Sequence, residues 1–463
     1  MTRSRILPIA YQADATQVLE RIDDLPHPVA LDSSGRDRWD IISAAPAWVM
    51  IRSAAGQWSV TGDNGPSIVG KDREILRRAF AAASTVTRDK DSLPFCGGLI
   101  GYLGYEFAHT SSRITCHTQD DRGLPSAFIG RYDWAIVTDH VTQQSWLVTT
   151  IECAMNVEAD IVERLSRPVQ RSAPNATLLT PANSDIDRLQ YRQCIDRIRH
   201  YLLAGDCYQV NFAQRYSARL GGHSLDAYRQ LRHASPSPFT AYLDLGPHQI
   251  LCMSPERFLR CDGKQVVTQP IKGTRPRHAD ARQDQKEAEA LLNSAKDRAE
   301  NVMIVDLLRN DLGQVCQPGS IKVDRLCELQ SFANVHHLVS TVSGTLRDDR
   351  TVADLLLACF PGGSITGAPK QRAMEIIDEL ETFRRTIYCG SMFYLSNDDQ
   401  FDSNIAIRTL LRDGDDIYGW AGGGIVFDSD AEEEYGECEH KIRGLFDALR
   451  GQTGSTSELT SKN

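Results

Sequence analysis

The twelve cysteines of this 463-residue chain include no Cys-x-x-Cys pair, so neither a zinc site nor a disulfide framework is suggested. Free thiols in a reducing cytoplasm are the expectation. No apolar run approaches the length of a membrane span, and the opening Met-Thr-Arg-Ser-Arg leads into no signal-peptide core, which argues against membrane insertion and export. Positive charge is in short supply, with 51 Lys and Arg against 61 Asp and Glu. A net charge of −10 gives no electrostatic basis for binding nucleic acid or an anionic membrane. There is no internal repeat. Two glycine-rich segments also fail the motifs they superficially suggest. GGLIGYLGYE at 97–106 does not match Gly-x-Gly-x-x-Gly, which leaves close packing between strands as the reason for its glycines. In PGGSITGAPK, Gly362 and Gly367 have the phosphate-loop spacing, but Ala368 stands where lysine is required and Gln371 where a hydroxyl is required. A nucleoside triphosphatase is excluded. A Gly-x-Cys-x-Gly nucleophile turn is missing too, since Cys207 and Cys389 are flanked by other residues, and the length leaves no room for a glutaminase domain.

What remains is a soluble globular composition, 41% hydrophobic and 24% charged, with ample length for a core. Residues 1–165 read mainly as strands, with strands at 39–50, 57–61, 127–138 and 145–152 and a helix at 72–83. A polar stretch at 166–184, carrying Pro168, Pro174 and Pro181, reads as a linker. The second domain, 185–450, opens with a helix over 187–204 stopped by Gly205. A strand at 207–218 carries Tyr208-Gln-Val-Asn211, a helix lies around 225–233, and one long helix is expected over 284–312. The small, polar residues 451–463 read as a disordered tail.

The chemistry concentrates in 254–313. SPERFL at 254–259 leads to a strand at 264–270 that stops at Pro270, and Lys272 follows in PIKGTR beside Gly273. There the backbone can bend and a ligand can come close. Glu256, on the preceding hairpin arm, is expected to face that amine. Glu300 sits where its helix turns from solvated to buried, a costly place for a carboxylate without a cation. Taken singly, these are a surface cation, a turn carboxylate and a helical pair with Lys296; their clustering points elsewhere. Ser364 and Thr366, before a helix at 371–380, can hold a carboxylate through hydroxyl and backbone donors. After a strand at 405–409 and a glycine loop at 421–426, Glu434, Glu437 and Lys441 fall on one helical face. That face is either a solvated mixed-charge surface or a dianion site. In the second case Arg408 and Lys441 take carboxylates, and Glu437 with Glu300 holds a divalent ion, for which oxygen ligands suit Mg²⁺.

SPERFL, PIKGTRPR, AKDRAENVMIVDLLRNDLG, HHLVST, FPGGSITGAPKQRAMEIIDELE, IAIRT and AGGGIV together resemble the chorismate-utilising enzymes, most closely the component I chains of aminodeoxychorismate synthases. The resemblance spans roughly 187–449. The N-terminal third matches more loosely, through Leu31-Asp-Ser33 and GGLIGYLGYE. It implies an α/β (α+β), TrpE-like fold, two large antiparallel sheets in a sandwich covered by helices, with chorismate and Mg²⁺ in the cleft. It assigns Glu300 and Glu437 to the metal, with Glu434 close by. Arg408, Lys441 and the backbone of Gly423 and Gly424 fall on substrate-carboxylate positions. Gly273, Thr274, Ser364 and Thr366 also fall on substrate positions, His337 faces the ring, and Glu256 is the general acid.

Two positions separate reactions in that superfamily. Enzymes that add water at C2 carry a lysine base where this chain has Gln209, and anthranilate synthases carry a small residue where it has Lys272. The combination implies amination of chorismate at C4, for 4-aminobenzoate and folate, with Lys272 as covalent nucleophile. Its pKa must fall for that, by burial near cations, and Arg275 is a candidate cation. Ammonia would come from a separate glutamine amidotransferase subunit, and the product would pass to a separate lyase. The alternatives are an anthranilate synthase component I, which releases pyruvate, and a non-catalytic subunit of the same fold. A tryptophan pocket is implied at Ser33, Pro238, Phe239 and Thr240. One departure stands out: Ser391-Met-Phe-Tyr394 replaces the usual Gly-x-x-Gly-Tyr, so Phe393 crowds a glycine position.

Overall fold

The computed structural model describes residues 4–450 apart from 84–92, 111–113, 115, 154, 169–174 and 333–334. The tail expected at 451–463 lies outside the described residues. Local sequence sets many of the element ends. Asp187 caps the helix Arg188–Ala204 in a reciprocal pair with Gln190, and Gly205 ends it in the left-handed conformation. The single helix expected over 284–312 is two, Ala281–Leu292 and Ala295–Gly313. The Ser294 hydroxyl accepts the Asp297 amide and starts the second helix, so a cap interrupts a pattern whose apolar periodicity runs straight through.

The strands form two sheets in which every ladder is antiparallel, thirteen-stranded and eleven-stranded among the described residues. Helices cover them, and one hydrophobic cluster runs through both sheets and the helices. Residues 1–165 and 185–450 share the two sheets. Val29–Asp32 pairs with Phe239–Asp244 in the first, and Gly98–Leu103 pairs with Ser391–Ser396 in the second. The stretch read as a linker supplies two short strands, Thr177–Leu178 and Asn183–Ser184, both paired with Gln209–Gly221.

The chain repeatedly crosses between sheets, and these crossings position the site. Residues 127–138, expected as one strand, are Ala127–Tyr132 in the second sheet and then Trp134–Asp139 in the first. His248–Ser254 belongs to the first sheet and Arg257–Asp262 to the second, so Glu256 sits in a crossing rather than on a hairpin arm. Gln400–Asn404 and Thr409–Asp413 make the reverse crossing. Residues 405–408 are therefore not strand, and Arg408 takes φ +51°. The two crossings are stitched together: the Ile405 amide donates to the Glu256 carbonyl at 3.1 Å and the Met253 amide to the Arg408 carbonyl at 3.0 Å. The glycines of 421–426 lie within the strand Asp416–Ile425 rather than in a loop. Among the described residues no helix is long and apolar enough to cross a membrane.

All six residues of Gly98–Leu103 are buried, and a Cβ on Gly101 would lie 2.1 Å from the Phe128 carbonyl oxygen of the neighbouring strand. Gly101→Ala is expected to cost about 1–3 kcal/mol as an overpacked core position. Gly444, exposed in the helix Ala431–Ala448 with open space where a Cβ would go, should gain about 0.5–1 kcal/mol on substitution by Ala. Chemical denaturation of the two variants checks both signs.

Candidate active site

Lys272 lies on the strand Ile271–Pro276, not past a strand end, and the register slips between Lys272 and Thr274. Gly273 makes that bulge at φ +76°, and a Cβ there would meet Leu291 at 2.8 Å and Asp297 at 3.0 Å, so conformation and space both require glycine. The half-buried Lys272 reaches across and its Nζ donates to the Ser364 carbonyl at 3.1 Å. The Ser364 hydroxyl donates to Glu256 Oε1 at 3.0 Å. One residue therefore joins the amine and the acid. Burial pushes Glu256, 5% exposed, up to about 7, against the pull of Lys272 and of the Ser364 hydrogen bond. Burial pushes Lys272 below the usual lysine range; Glu300 and Glu256 oppose this, and Lys441 adds to it. Arg275 is not the cation responsible, because its guanidinium is 3.2 Å from Asp297.

The segment 360–370 docks on Gln209–Gly221. The Asn211 amide donates to the Thr366 carbonyl, and Gln209 pairs with Ala368. The Thr366 hydroxyl is taken up by the Gly362 carbonyl at 3.0 Å. Gln209 is fully buried, and among the described residues both polar atoms of its side chain lack a hydrogen-bond partner. It lies over Gly424, where a Cβ would come within 2.6 Å of Gln209 Nε2, while a Cβ on Gly423 would meet Glu434 at 2.7 Å. Lys441 donates to the Gly422 carbonyl at 2.9 Å and pairs with Glu437 at 2.5 Å. No carboxylate pairs with half-buried Arg408 among the described residues; burial lowers its pKa, with Tyr388 and Glu437 opposing. Buried His337 holds the Thr274 hydroxyl at 2.9 Å through Nδ1. Burial pushes this imidazole down to about 4, so it is neutral at physiological pH.

Glu300 on one helix and Glu434 and Glu437 on another act on one another electrostatically. Burial raises Glu300 and Glu434, and the Glu437 charge adds to both. Burial would raise Glu437 as well, but Lys441, Lys296 and Lys272 hold it below its usual range. Ser429 donates to Glu434 at 2.8 Å. Among the described residues no three such side chains are already gathered as a ready metal cluster. The donor set nevertheless fits a hard divalent cation, with carboxylate oxygens from two helices compensated by lysines.

A second cavity of about 390 Å³ is lined by Leu31, Asp32, Pro238, Phe239, Thr240 and Phe393, among others. Three of the four residues assigned to a tryptophan pocket line it; Ser33 is instead turned to Asp40, its hydroxyl donating at 2.8 Å. Phe393 is buried at this position, with its ring 5.4 Å from that of Phe80 and 6.0 Å from that of Phe401. A groove of about 690 Å³ lies on the outer face of Ala295–Gly313, and none of the site residues lines it.

Lys296, expected only as the helical partner of Glu300, acts on all three glutamates. One functional neighbour escaped sequence reading. Tyr388 is buried and close enough to act on Arg408, and nothing in its local sequence announces it.

Residues 28–447 match the family described as chorismate binding enzyme. The chain is 40% identical to aminodeoxychorismate synthase component 1 of Escherichia coli (strain K12) over 453 residues, 96% of this chain and 98% of that one. It is 40% identical to the protein of the same name from Klebsiella aerogenes over 416 residues, covering 89% and 90% of the two chains. The crystal structure of anthranilate synthase component I from Streptococcus pneumoniae TIGR4 superposes with a TM-score of 0.79 at 31% identity, over 89% of this chain and 92% of that one.

The neutrality of His337 has a measurable consequence. Its folded value lies below the ordinary imidazole value, so the unfolded chain binds the proton first as pH falls from 6.5 towards 4. Stability from this group is present above that window and is lost through it. Between pH 7 and 4.5 the wild type should lose about 1–3 kcal/mol more than His337→Gln, as measured by denaturant unfolding at each pH.

Proposed function

We propose a function from one premise: this chain belongs to the chorismate binding enzymes. Within them it aminates chorismate at C4, giving 4-amino-4-deoxychorismate, as an aminodeoxychorismate synthase component I. The observation that carries this reading is the meeting of the Lys272 amine and the Glu256 carboxyl on Ser364. An anthranilate synthase attacks C2 with ammonia and, by family resemblance, carries a small residue where this chain presents that amine. The names and coverage of the E. coli and K. aerogenes relatives support the C4 reading.

Arg408 and Lys441 bind the two carboxylates, and the Gly423–Gly424 backbone, which Glu434 and Gln209 pack against on the side a Cβ would take, offers its peptide groups to the substrate. A divalent ion such as Mg²⁺, held by Glu300 and Glu437 with Glu434 behind them, would supply electrostatic anchorage for the ring carboxylate. Lys272, neutral, attacks C2 through Nζ. Both ring double bonds shift, to C1=C6 and C4=C5, and the C4–O bond breaks, with the hydroxyl leaving as water on a proton from Glu256. Ammonia then forms the N–C4 bond, both double bonds shift back, the C2–Nζ bond breaks to return Lys272 as a neutral amine, and the ammonium formed at C4 gives a proton back to Glu256. Two displacements retain configuration at C4. Neutral His337 packs beside the ring without adding charge.

A separate glutamine amidotransferase subunit supplies the ammonia, and a separate lyase takes the product. All twelve cysteines are free, which fits a reducing compartment, and the setting we propose is the cytoplasm. The 390 Å³ cavity is the proposed tryptophan pocket. Millimolar tryptophan should raise the melting temperature, and an unchanged melt with no tryptophan in the purified protein would remove the pocket.

With chorismate and Mg²⁺, the purified chain should yield the 4-amino product from ammonium salts and none from glutamine alone. Without ammonia, the peptide containing Lys272 should gain the mass of chorismate minus water. Lys272→Ala should abolish the adduct and lower kcat more than it raises KM. Undiminished C4 amination by that variant at saturating chorismate would return Lys272 to a carboxylate clamp.

A further inference from the structure

We propose that Ser364 is a positioning residue that directs the catalytic proton of Glu256 onto Oε2, by occupying Oε1 with its own hydroxyl proton. This rests on the reading of Glu256 as the general acid. The Ser364 hydroxyl donates to Oε1 at 3.0 Å, and the residue is 6% exposed. A neutral carboxyl carries one proton. With Oε1 already accepting from the serine, that proton belongs on Oε2, where it can meet the departing C4 hydroxyl; the Ile271 amide also acts on this carboxyl and, like Ser364, favours its ionised form. The same residue's carbonyl receives Lys272 Nζ, so acid and nucleophile are registered against one short turn, Gly363–Ile365.

The turn is pinned from several directions. Arg385, 1% exposed, donates to the Ile365 carbonyl at 3.0 Å and to the Asn211 carbonyl at 2.6 Å. Glu381 holds that guanidinium through Nε and Nη2. Thr366 ties back to Gly362, and a Cβ on Gly363 would lie 2.4 Å from Leu307. Ser364 therefore cannot follow Glu256 if the carboxyl rotates; the carboxyl is turned to suit the serine. A hydrogen bond given to a carboxyl oxygen favours the ionised form, which agrees with Ser364 opposing the rise that burial imposes on Glu256.

The test compares wild type with Ser364→Ala, Ser364→Cys and Ser364→Thr, using ammonium as the nitrogen source. Ala and Cys keep the carbonyl for Lys272 but remove the strong donor. Each should lower kcat about 10- to 100-fold, as loss of a hydrogen bond to a charged group does, with KM changed less than 3-fold or so. In infrared difference titrations the carboxyl band absent from Glu256→Gln should move to higher pH in the Ala and Cys variants. Ser364→Thr, which restores a hydroxyl, should return both readouts towards wild type. A purely structural serine would lower stability or substrate affinity while leaving the Glu256 titration in place. If wild type aminates chorismate and kcat and the titration are unmoved in whichever of Ala or Cys folds, the inference falls and the general-acid reading stands. If wild type consumes no chorismate with ammonium and Mg²⁺, the functional reading itself falls.

Discussion

An acid and an amine are buried side by side, and neither can keep its ordinary charge there without cost. Burial raises Glu256 to about 7 and lowers Lys272, so the two move towards one another in titration. Both shifts run in the direction that nucleophilic attack with leaving-group protonation requires, towards a neutral acid and a neutral amine. Because the groups interact, their titration belongs to the pair. Everything else in the cleft serves this arrangement: Ser364 fixes their separation, and the glutamates and lysines around them set the local field.

The fold supplies that burial through its sheet crossings. Glu256 and Arg408 lie on two connections that pass between the sheets in opposite directions, and hydrogen bonds between the connections hold them in fixed relation. A crossing brings a polar side chain into the space between two packed layers without breaking either ladder. Arg408 has φ +51° there, a conformation few non-glycine residues adopt, and its guanidinium meets no carboxylate among the described residues. The amine comes from the bulge at Gly273, where the extra residue re-aims Lys272. Three different backbone irregularities thus converge on one cleft.

Charge balance explains why the glutamates persist without collapse. Glu437 repels both Glu300 and Glu434, and Lys296, Lys272 and Lys441 offset that repulsion. A cation arriving with substrate would take over part of this role. Lys441 is then free to trade its contact with Glu437 for a ligand carboxylate while keeping the Gly422 carbonyl.

By itself the sequence determined the residue types and the local signals. Asp187 and Gly205 bound their helix because capping needs only neighbours in the chain. The glycines of 97–106 and 421–426 announced close approach because only a missing Cβ permits it, and the clustering of Glu256, Lys272 and Glu300 was already visible. The tertiary structure decided the rest. Residues 127–138 split between two sheets, because sheet membership depends on partners far away in the chain. Ser364 meets Glu256, Arg275 turns to Asp297, and Tyr388 comes to Arg408. Side-chain direction and hydrogen-bond choice are settled only where distant segments pack, and no local pattern encodes that.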